Sequence, residues 1–288
     1  MTTHTQPEQS VSPASPVLVL GGTGKTGRRV AAALTRRGFT ARPASRSAPT
    51  RFDWSDRTTW GPALDGVGAV YVVDSQGPDA AEEVRAFAAL AVESGVRRLV
   101  LLSARTWGEF GDPALLATED AVRAAGADWT VLRPTWFDQN FTEEWFLSSV
   151  LTTGELRLPA GEGREPFLDL EDLAEVAAVV LTEDGHAGRT YELSGPRALT
   201  LREAVAELSA AAGRPLRYVP VSEAEYLAEQ RAAGVPEEVA QLLAGLFRHI
   251  AEDGSASIAD GVRQVLGRDP RDFRAYARGA DLSAGPAG

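Results

Sequence analysis

The first half of the chain alternates short apolar runs, typical of buried strands, with amphipathic segments that have the spacing of helices. The predicted strands cover residues 17–20, 40–45, 51–54, 68–73, 96–103 and 129–134. The predicted helices cover residues 28–34, 80–94 and 114–125. Strands that alternate with helices in this way predict an α/β fold, a doubly wound parallel sheet of the Rossmann type with right-handed crossovers.

The pattern changes after about residue 153, where short β segments separate more frequent helices. The β segments cover residues 155–158 and 190–193, and the helices cover residues 170–182, 201–212, 222–233 and 236–251. We therefore predict a Rossmann domain over residues 17–153 and a smaller, mostly helical C-terminal substrate lobe over residues 154–280, from which the chain returns to the sheet. Residues 1–16 lack the basic start and apolar core of a secretion signal, so we expect a disordered tail there and a flexible tail over residues 281–288.

A glycine-rich turn, Gly21-Gly22-Thr23-Gly24-Lys25-Thr26-Gly27, joins the first predicted strand to the first predicted helix. Such a turn binds a dinucleotide pyrophosphate. The first glycine allows the tight turn, the second lets backbone N–H groups approach the phosphates, and the third lets the helix pack closely on the strand. We therefore predict that this whole segment binds a dinucleotide cofactor. The alternative is a turn without a cofactor, because the spacing is G-x-x-G-x-x-G rather than G-x-G-x-x-G.

Lys25 is the single lysine of the chain, and its position excludes two other interpretations. Gly24-Lys25-Thr26 resembles the end of a P-loop, but a P-loop requires glycine at position 19, where Val19 lies inside the predicted strand. A short-chain dehydrogenase with a Tyr-x-x-x-Lys pair uses lysine to lower the pKa of the tyrosine. Because no lysine is available outside the glycine turn, that chemistry is excluded.

Arg46, at the end of the second predicted strand, favours NADP(H) over NAD(H) as the cofactor. Sites that select NAD place a carboxylate at this point for the ribose 2′-hydroxyl, whereas an arginine accommodates a 2′-phosphate. The alternative is a solvated arginine at a strand terminus, which is common on protein surfaces.

Residues that follow the other predicted strands are further candidates, because ligands of such sheets bind outside the carboxyl ends of the strands. Asp53 and Trp54 would contact the adenine, unless they are a turn residue and a core residue. The other cofactor candidates are Val73, Ser103, Pro134, Thr135 and Trp136. Ser103 is also a tentative catalytic residue together with Glu119, although a serine here equally suits a helix cap. The predicted substrate pocket comprises Arg105, Trp107, Trp136, Phe137 and Asn140. Aromatic residues of this kind are also typical of a core.

The composition narrows the function classes. The 40 acidic and 29 basic residues give a formal net charge of −11, so the electrostatic signature of nucleic-acid binding is missing. The chain has no cysteine, and its three histidines are scattered, so we expect no metal site. No G-x-S-x-G motif indicates a serine hydrolase. No apolar run is long enough to span a membrane, and we expect a cytoplasmic protein that acts on a small molecule. The sequence leaves the oligomeric state open.

A series of motifs resembles the NmrA-like group of atypical short-chain dehydrogenases. They are Gly21–Gly27, Ala44-Ser45-Arg46-Ser47, Phe52-Asp53-Trp54, Val96–Ala104, Leu132–Phe137, Gly161–Phe167 and Asp169–Asp172, in this order. Within the group, the motifs are most similar to those of the festuclavine and agroclavine dehydrogenases of ergot-alkaloid synthesis. The resemblance covers residues 17–220 and weakens in the last part of the chain.

The resemblance implies an NADP(H)-dependent oxidoreductase that transfers hydride to a pre-activated small electrophile, such as an iminium, a quinone or an enone, in secondary metabolism. In this family the Tyr-x-x-x-Lys pair is often absent, and residues 117–122 occupy its place here. Catalysis would then depend on how the nicotinamide is positioned against the electrophilic carbon. One alternative is a non-catalytic, NADP-sensing regulator that binds a protein partner, as in some members of the family. The other is a hydrolase or isomerase, for which the chain offers no nucleophile–base set.

Overall fold

The computed structural model describes residues 15–283, and the chain divides into two compact units. The first, which we call the sheet unit, comprises Met1–Pro134, Leu170–Leu193 and Gly261–Arg268. The second, the helical unit, comprises Thr135–Asp169, Ser194–Asp260 and Asp269–Gly288. Each unit is therefore assembled from three separate stretches of the chain.

The sheet unit contains one parallel sheet of seven strands in the order β3-β2-β1-β4-β5-β6-β9. With elements numbered in chain order, its strands are β1 (Val17–Leu20), β2 (Ala41–Ser45), β3 (Thr50–Arg51), β4 (Ala69–Val72), β5 (Arg98–Leu102), β6 (Asp128–Pro134) and β9 (Arg189–Leu193). The order reverses between β1 and β4, which is the switch point where doubly wound sheets bind ligands. The predicted Rossmann fold is confirmed.

Helices surround this sheet in two packed pairs, α1 with α8 and α3 with α5. The helices of the unit are α1 (Gly27–Arg36), α2 (Trp60–Leu64), α3 (Ala80–Glu93), α4 (Arg105–Phe110), α5 (Pro113–Arg123), α8 (Leu170–Thr182) and α12 (Gly261–Leu266), with a short 3-10 helix at Arg57–Thr59. Every residue of β1 and β4 is buried, as expected for strands covered on both faces. Alternate residues, such as Leu18 and Leu20, pack with residues of α3 and α5.

The helical unit holds its own core. Its helices are α6 (Asn140–Glu143), α7 (Trp145–Thr153), α9 (Leu201–Ala212), α10 (Glu223–Ala232), α11 (Glu237–Ala251) and α13 (Phe273–Gly279). Its strands are β7 (Glu155–Leu158), β8 (Arg164–Glu165), β10 (Leu199–Thr200) and β11 (Arg217–Pro220), which form two pairs: antiparallel β10–β8 and parallel β11–β7. Phe141, Phe167 and Phe273 pack against one another in its core, with ring centroids 5.3–5.8 Å apart.

The unit boundaries differ from the predicted division at residue 153. The first stretch of the sheet unit ends at Pro134, because α6 and α7 bury Phe141 and Leu147 in the core of the helical unit. The chain then returns to the sheet with α8 and β9, and β9 pairs in parallel with β6.

Both predicted tails include residues that are packed in the structure. Most of the tail predicted over residues 1–16 lies outside the described residues, although the carbonyl oxygen of Pro16 accepts a hydrogen bond from the N–H of Gly68 at 3.1 Å. The tail predicted from residue 281 starts too early, because Leu282 is buried in the core of the helical unit.

Candidate functional site

The glycine turn between β1 and α1 is held in place by contacts that leave no room for a side chain at Gly22 or Gly27. Gly21 has a φ of +63°, a conformation that favours glycine. The N–H of Gly24 donates to the carbonyl oxygen of Gly21 at 2.8 Å, which closes the turn. A Cβ on Gly27 would lie 2.3 Å from that oxygen, and a Cβ on Gly22 would lie 2.6 Å from the Cβ of Pro43. The backbone of the turn is therefore fixed by packing against β1 and β2.

Gly24 differs from its neighbours, because a Cβ there would meet one described atom only, the carbonyl oxygen of Gly21 at 3.2 Å. Thr23 and Gly24 are exposed, whereas Gly22, Thr26 and Gly27 are buried and Lys25 is half-buried. The turn thus presents exposed backbone at the N-terminus of a ten-residue helix, where the helix dipole and unpaired N–H groups favour a phosphate. These residues fit the pyrophosphate of a dinucleotide.

Arg46 follows β2 and is exposed. Among residues 15–283 no salt bridge is formed with it, although its charge lies close enough to Asp53 to lower the pKa of that carboxyl. The hydrogen bonds from Ser55 have a larger effect on this pKa, because the Oδ1 atom of Asp53 accepts from both the N–H and the hydroxyl of Ser55. The structure thus leaves the guanidinium of Arg46 available to a ligand and places Asp53 in a local turn.

Trp54 and Val73, two predicted cofactor contacts, are brought together. The indole N–H of Trp54 donates to the carbonyl oxygen of Val73 at 3.1 Å. The Trp54 ring packs edge-on against Phe52 and Phe87, with centroids 5.0 and 5.4 Å away. Trp54 remains half-exposed, so it contributes to the core and to the surface beside the end of β4.

Ser103 and Glu119 form a charged cluster together with two arginines that sequence analysis did not assign. The hydroxyl of Ser103, just after β5, donates to Oε1 of Glu119 at 2.6 Å. Arg133 on β6 binds both carboxylate oxygens, with its Nε and one terminal nitrogen each at 2.8 Å. Arg123 donates to Oε2 at 2.7 Å from the next turn of α5. The Glu119 side chain is completely buried.

This cluster keeps Glu119 ionised. Burial raises the pKa of its carboxyl, but the hydrogen bonds from Arg133 and Ser103 and the charges of Arg133 and Arg123 outweigh burial, and the pKa lies below its ordinary value. The pKa of Arg133 is raised chiefly by its hydrogen bonds to Glu119. Two sequence features could have indicated the cluster: the four-residue spacing of Glu119 and Arg123 on a helix, and an arginine inside the apolar strand β6.

Gly108 is a further residue that sequence analysis missed. A Cβ at this position of α4 would lie 2.6 Å from a terminal nitrogen of Arg133, so glycine makes room for the guanidinium. On the same helix Arg105 is buried, with its Nε 3.0 Å from Glu109 and 3.6 Å from Glu192. Trp107 is half-exposed, with its ring centroid 6.4 Å from that of Phe110. Arg105 therefore belongs to an ion-pair network of the sheet unit.

The residues after Pro134, which ends β6, belong to the helical unit. The hydroxyl of Thr135 donates to the carbonyl oxygen of Pro166 at 2.7 Å, and the N–H of Trp136 donates to Oε1 of Glu165 at 3.1 Å. The ring of Trp136 lies 5.8 Å from Phe146 and 5.5 Å from Phe247. Phe137 is half-buried and bridges to Leu168, and Asn140 is buried at the start of α6. Trp136, Phe146 and Phe247 therefore form an aromatic cluster in the core of this unit.

The part of the chain that the structure describes shows neither a metal site nor a membrane-spanning helix. Residues 15–283 contain no group of His, Cys, Asp and Glu side chains arranged to hold a metal ion. The helices of the same range include none with the length and apolar character needed to cross a membrane.

Several known proteins are similar to this chain in sequence or in fold. Residues 21–184 match the family described as NAD(P)H-binding. The chain is 35% identical to the oxidoreductase YesF of Bacillus subtilis, over 91% of this chain and 94% of that protein. It is 30% identical to festuclavine dehydrogenase of Aspergillus fumigatus, over 91% and 96% of the two chains.

Two solved structures agree in fold. The triphenylmethane reductase of Citrobacter sp. complexed with NADP(H) has a TM-score of 0.76 at 23% identity and covers 92% of this chain and 99% of its own. The NADPH-dependent quinone oxidoreductase of Escherichia coli complexed with NADPH has a TM-score of 0.75 at 23% identity, covering 91% and 98%. The likeness to festuclavine dehydrogenase confirms the predicted resemblance to clavine dehydrogenases. Together with the glycine turn and the order of the parallel sheet, these matches show that the chain belongs to the NAD(P)H-binding oxidoreductase family.

Proposed function

We propose that the protein transfers hydride from NADPH to a small, pre-activated organic electrophile such as an iminium, a quinone or an enone. The observation that carries this proposal is the Ser103–Glu119 contact. The hydroxyl of Ser103 donates a hydrogen bond to a carboxylate that two arginines keep ionised, so neither group is a ready acid for a developing alkoxide. An iminium needs no such acid, because it accepts hydride and becomes a neutral amine.

The cofactor part of the proposal depends on the glycine turn and Arg46. The exposed backbone at Thr23 and Gly24 would bind the pyrophosphate, and the guanidinium of Arg46 would bind the 2′-phosphate that distinguishes NADPH from NADH. Bound NADPH would supply the hydride from its nicotinamide ring. The residues of the chain bind and orient the reactants, and Ser103 is held in one orientation by Glu119.

The relatives support the same class of acceptor. Two of the proteins with this fold are named as a triphenylmethane reductase that acts on triphenylmethane dyes and as a quinone oxidoreductase. Cationic triphenylmethane dyes and quinones are both conjugated compounds that accept hydride without prior protonation. The clavine dehydrogenase relative supports a substrate from secondary metabolism. Two observations thus support an activated acceptor: Ser103 and Glu119 supply no proton donor, and proteins of the same fold are named for conjugated acceptors.

The test compares initial rates of NADPH oxidation with three acceptors at matched concentration. N-methyl-dihydroisoquinolinium represents iminium ions, menadione represents quinones, and cyclohexanone represents simple ketones. We expect turnover of the first two above the enzyme-free background and little turnover of the ketone. If cyclohexanone reacts fastest, an acid–base site operates and the proposal is wrong. If nothing reacts although NADP⁺ binds tightly, a non-catalytic, NADP-sensing role replaces it.

A further inference from the structure

The hydroxyl of Ser103 is held in one polarity, which decides what a ligand can offer it. A serine hydroxyl can donate one hydrogen bond and accept two. Because Glu119 is kept ionised, its carboxylate can only accept, so the 2.6 Å contact uses the proton of Ser103. The side-chain oxygen of Ser103 therefore has acceptor capacity alone to offer.

Contacts on both sides fix Ser103 in this arrangement. Its backbone N–H donates to the carbonyl oxygen of Leu132 on β6 at 2.8 Å, which holds the residue at the carboxyl end of β5. Its hydroxyl cannot turn away from Glu119 without losing a hydrogen bond to an ionised group, which is roughly twice as strong as a neutral one. Glu119 cannot turn either, because Arg133 and Arg123 bind its two oxygens.

The hydroxyl of Ser103 does not cap a helix. The sequence left a capping role open, but α4 begins after Ala104, and no side chain caps it. Within residues 15–283 the hydroxyl makes one hydrogen bond, the one to Glu119. Ser103 is half-buried, whereas the Glu119 side chain is completely buried, so the serine retains exposed surface at the sheet edge where ligands bind.

The charges around Ser103 do not repel a cation. Arg123 pairs with Asp120 at 3.0 Å in addition to Glu119, and the charge of Glu192 acts on Arg133. The arginines of this network are Arg105, Arg123 and Arg133, and its carboxylates are Glu109, Glu119, Asp120 and Glu192. With more carboxylates than arginines, the network tolerates a positively charged ligand beside the serine.

We propose that the side-chain oxygen of Ser103 accepts a hydrogen bond from the N–H group of an iminium substrate, so that the protein prefers N–H iminium ions to N-alkylated ones. The proposal rests on the proposed function and names a subclass of its substrates. Quinones and enones carry acceptor oxygens at the electrophilic group, which find no donor at Ser103. When hydride adds to the iminium carbon, the electron pair of the double bond moves to the nitrogen. The nitrogen keeps its proton, and Ser103 neither gains nor loses one.

The test uses two ligands that differ in a single group. Dihydroisoquinolinium carries an N–H, and N-methyl-dihydroisoquinolinium carries a methyl group in its place. Binding of each to the full-length protein saturated with NADP⁺ is measured by calorimetry in mildly acidic buffer, where the imine nitrogen is protonated. Because the oxidised cofactor has no hydride to give, the affinities are measured without turnover.

Ser103→Ala is expected to weaken dihydroisoquinolinium about 3–10-fold and to change the affinity for the N-methyl compound less than about twofold, as for loss of one hydrogen bond. Ser103→Cys keeps a side chain of similar size, but its sulfur is a weak acceptor, so this variant is expected to behave like Ser103→Ala. Ser103→Thr keeps the hydroxyl and is expected to retain the preference of the wild type. The series separates loss of the acceptor from a change in volume.

Ser222→Ala is the matched control. The hydroxyl of Ser222 also donates to a carboxylate, that of Glu225 at 2.7 Å, but in the capping box of α10. This variant is expected to lower the thermal midpoint, because it removes an N-cap, and to keep the affinities for both ligands. It shows whether a loss of stability alone can change the preference.

The proposal is overturned if Ser103→Ala weakens both ligands equally or weakens neither, or if Ser103→Cys binds dihydroisoquinolinium as tightly as the wild type. Rates of NADPH oxidation with the same two ligands test the proposed function separately. An N–H preference in binding without any turnover would refute hydride transfer to iminium ions and uphold the role of Ser103. Turnover with equal losses for both ligands would refute the role of Ser103 alone.

Discussion

Replacing Glu119 by glutamine is expected to destabilise the sheet unit strongly, because it removes the negative charge at the centre of a buried cluster. Glutamine has nearly the same volume, so the change isolates the charge. Arg133, of which 16% of the side chain is exposed, would lose both of its charged acceptors. Arg123, which is 30% exposed, would retain Asp120 at 3.0 Å. Arg133 is therefore left without a direct ion pair and with only the charge of Glu192 near it, whereas Arg123 keeps a direct ion pair.

The magnitude follows from this asymmetry. Removing one partner of a buried ion pair costs about 3–5 kcal/mol, and we place Glu119→Gln near 3 kcal/mol because Arg123 keeps a partner. For a unit of this size that corresponds to a lower thermal midpoint by about 6–12 °C. Glu162→Gln is the matched control: Glu162 pairs with Arg202 at 2.6 Å, but both side chains are more than half exposed. It is expected to leave the midpoint nearly unchanged.

The effect also has a defined pH dependence. The folded protein holds the pKa of Glu119 below its ordinary value of 4.5, so the unfolded chain takes up a proton first as the pH falls. The stabilisation by this carboxylate is therefore complete above pH 4.5 and is lost as the pH falls through the lowered pKa of the folded state. Thermal unfolding of wild type and variant across this range is the assay. The reasoning fails if Glu119→Gln costs no more than Glu162→Gln at pH 7, or if the difference does not shrink in acid.

Four further substitutions test the cofactor site and the acceptor class. Arg46→Ala is expected to weaken NADPH at least tenfold and barely affect NADH by calorimetric titration, because a charge-assisted phosphate contact contributes about 1.5–3 kcal/mol; equal losses for both cofactors would make Arg46 structural. Gly24→Val is expected to abolish NADPH binding in a protein with unchanged circular dichroism, and micromolar NADPH affinity in this variant would show that the turn does not bind the phosphates. Gly27→Ala is expected to reduce stability instead, since its Cβ would lie 2.3 Å from the carbonyl oxygen of Gly21. Ser103→Ala is expected to lower the initial rate with an iminium only modestly, and complete loss of turnover would show an essential hydroxyl.

Local sequence signals predicted the elements whose caps and periodicity agree with the final packing. The helices Leu170–Thr182 and Leu201–Ala212 and the strand Glu155–Leu158 were predicted at their observed bounds. The helix Leu201–Ala212 begins with a capping box between Thr200 and Glu203, a signal that is readable within four residues of sequence. The glycine turn was predictable for the same reason, since strand, turn and helix are contiguous.

Other features depend on contacts between distant residues, and the sequence could not supply them. The strand predicted over residues 51–54 ends at Arg51, because the side chain of Asp53 binds the backbone and hydroxyl of Ser55 and turns the chain. The helix Trp145–Thr153 was not predicted, since its apolar and polar residues do not separate onto two clear faces. The cluster around Glu119 joins residues from strand β6, from the loop after β5 and from helix α5, so its composition becomes visible only once the sheet has formed.

The order in which the sheet is completed has a consequence for the protein during its synthesis. The strand β9 is made more than fifty residues after its neighbour β6, and the whole stretch Thr135–Asp169 of the helical unit is made in between. Until Arg189–Leu193 leaves the ribosome, β6 is an unpaired edge that carries apolar residues and can pair with another chain. A nascent chain halted before residue 189 is therefore expected to aggregate or to recruit chaperones, although it already contains the entire glycine turn.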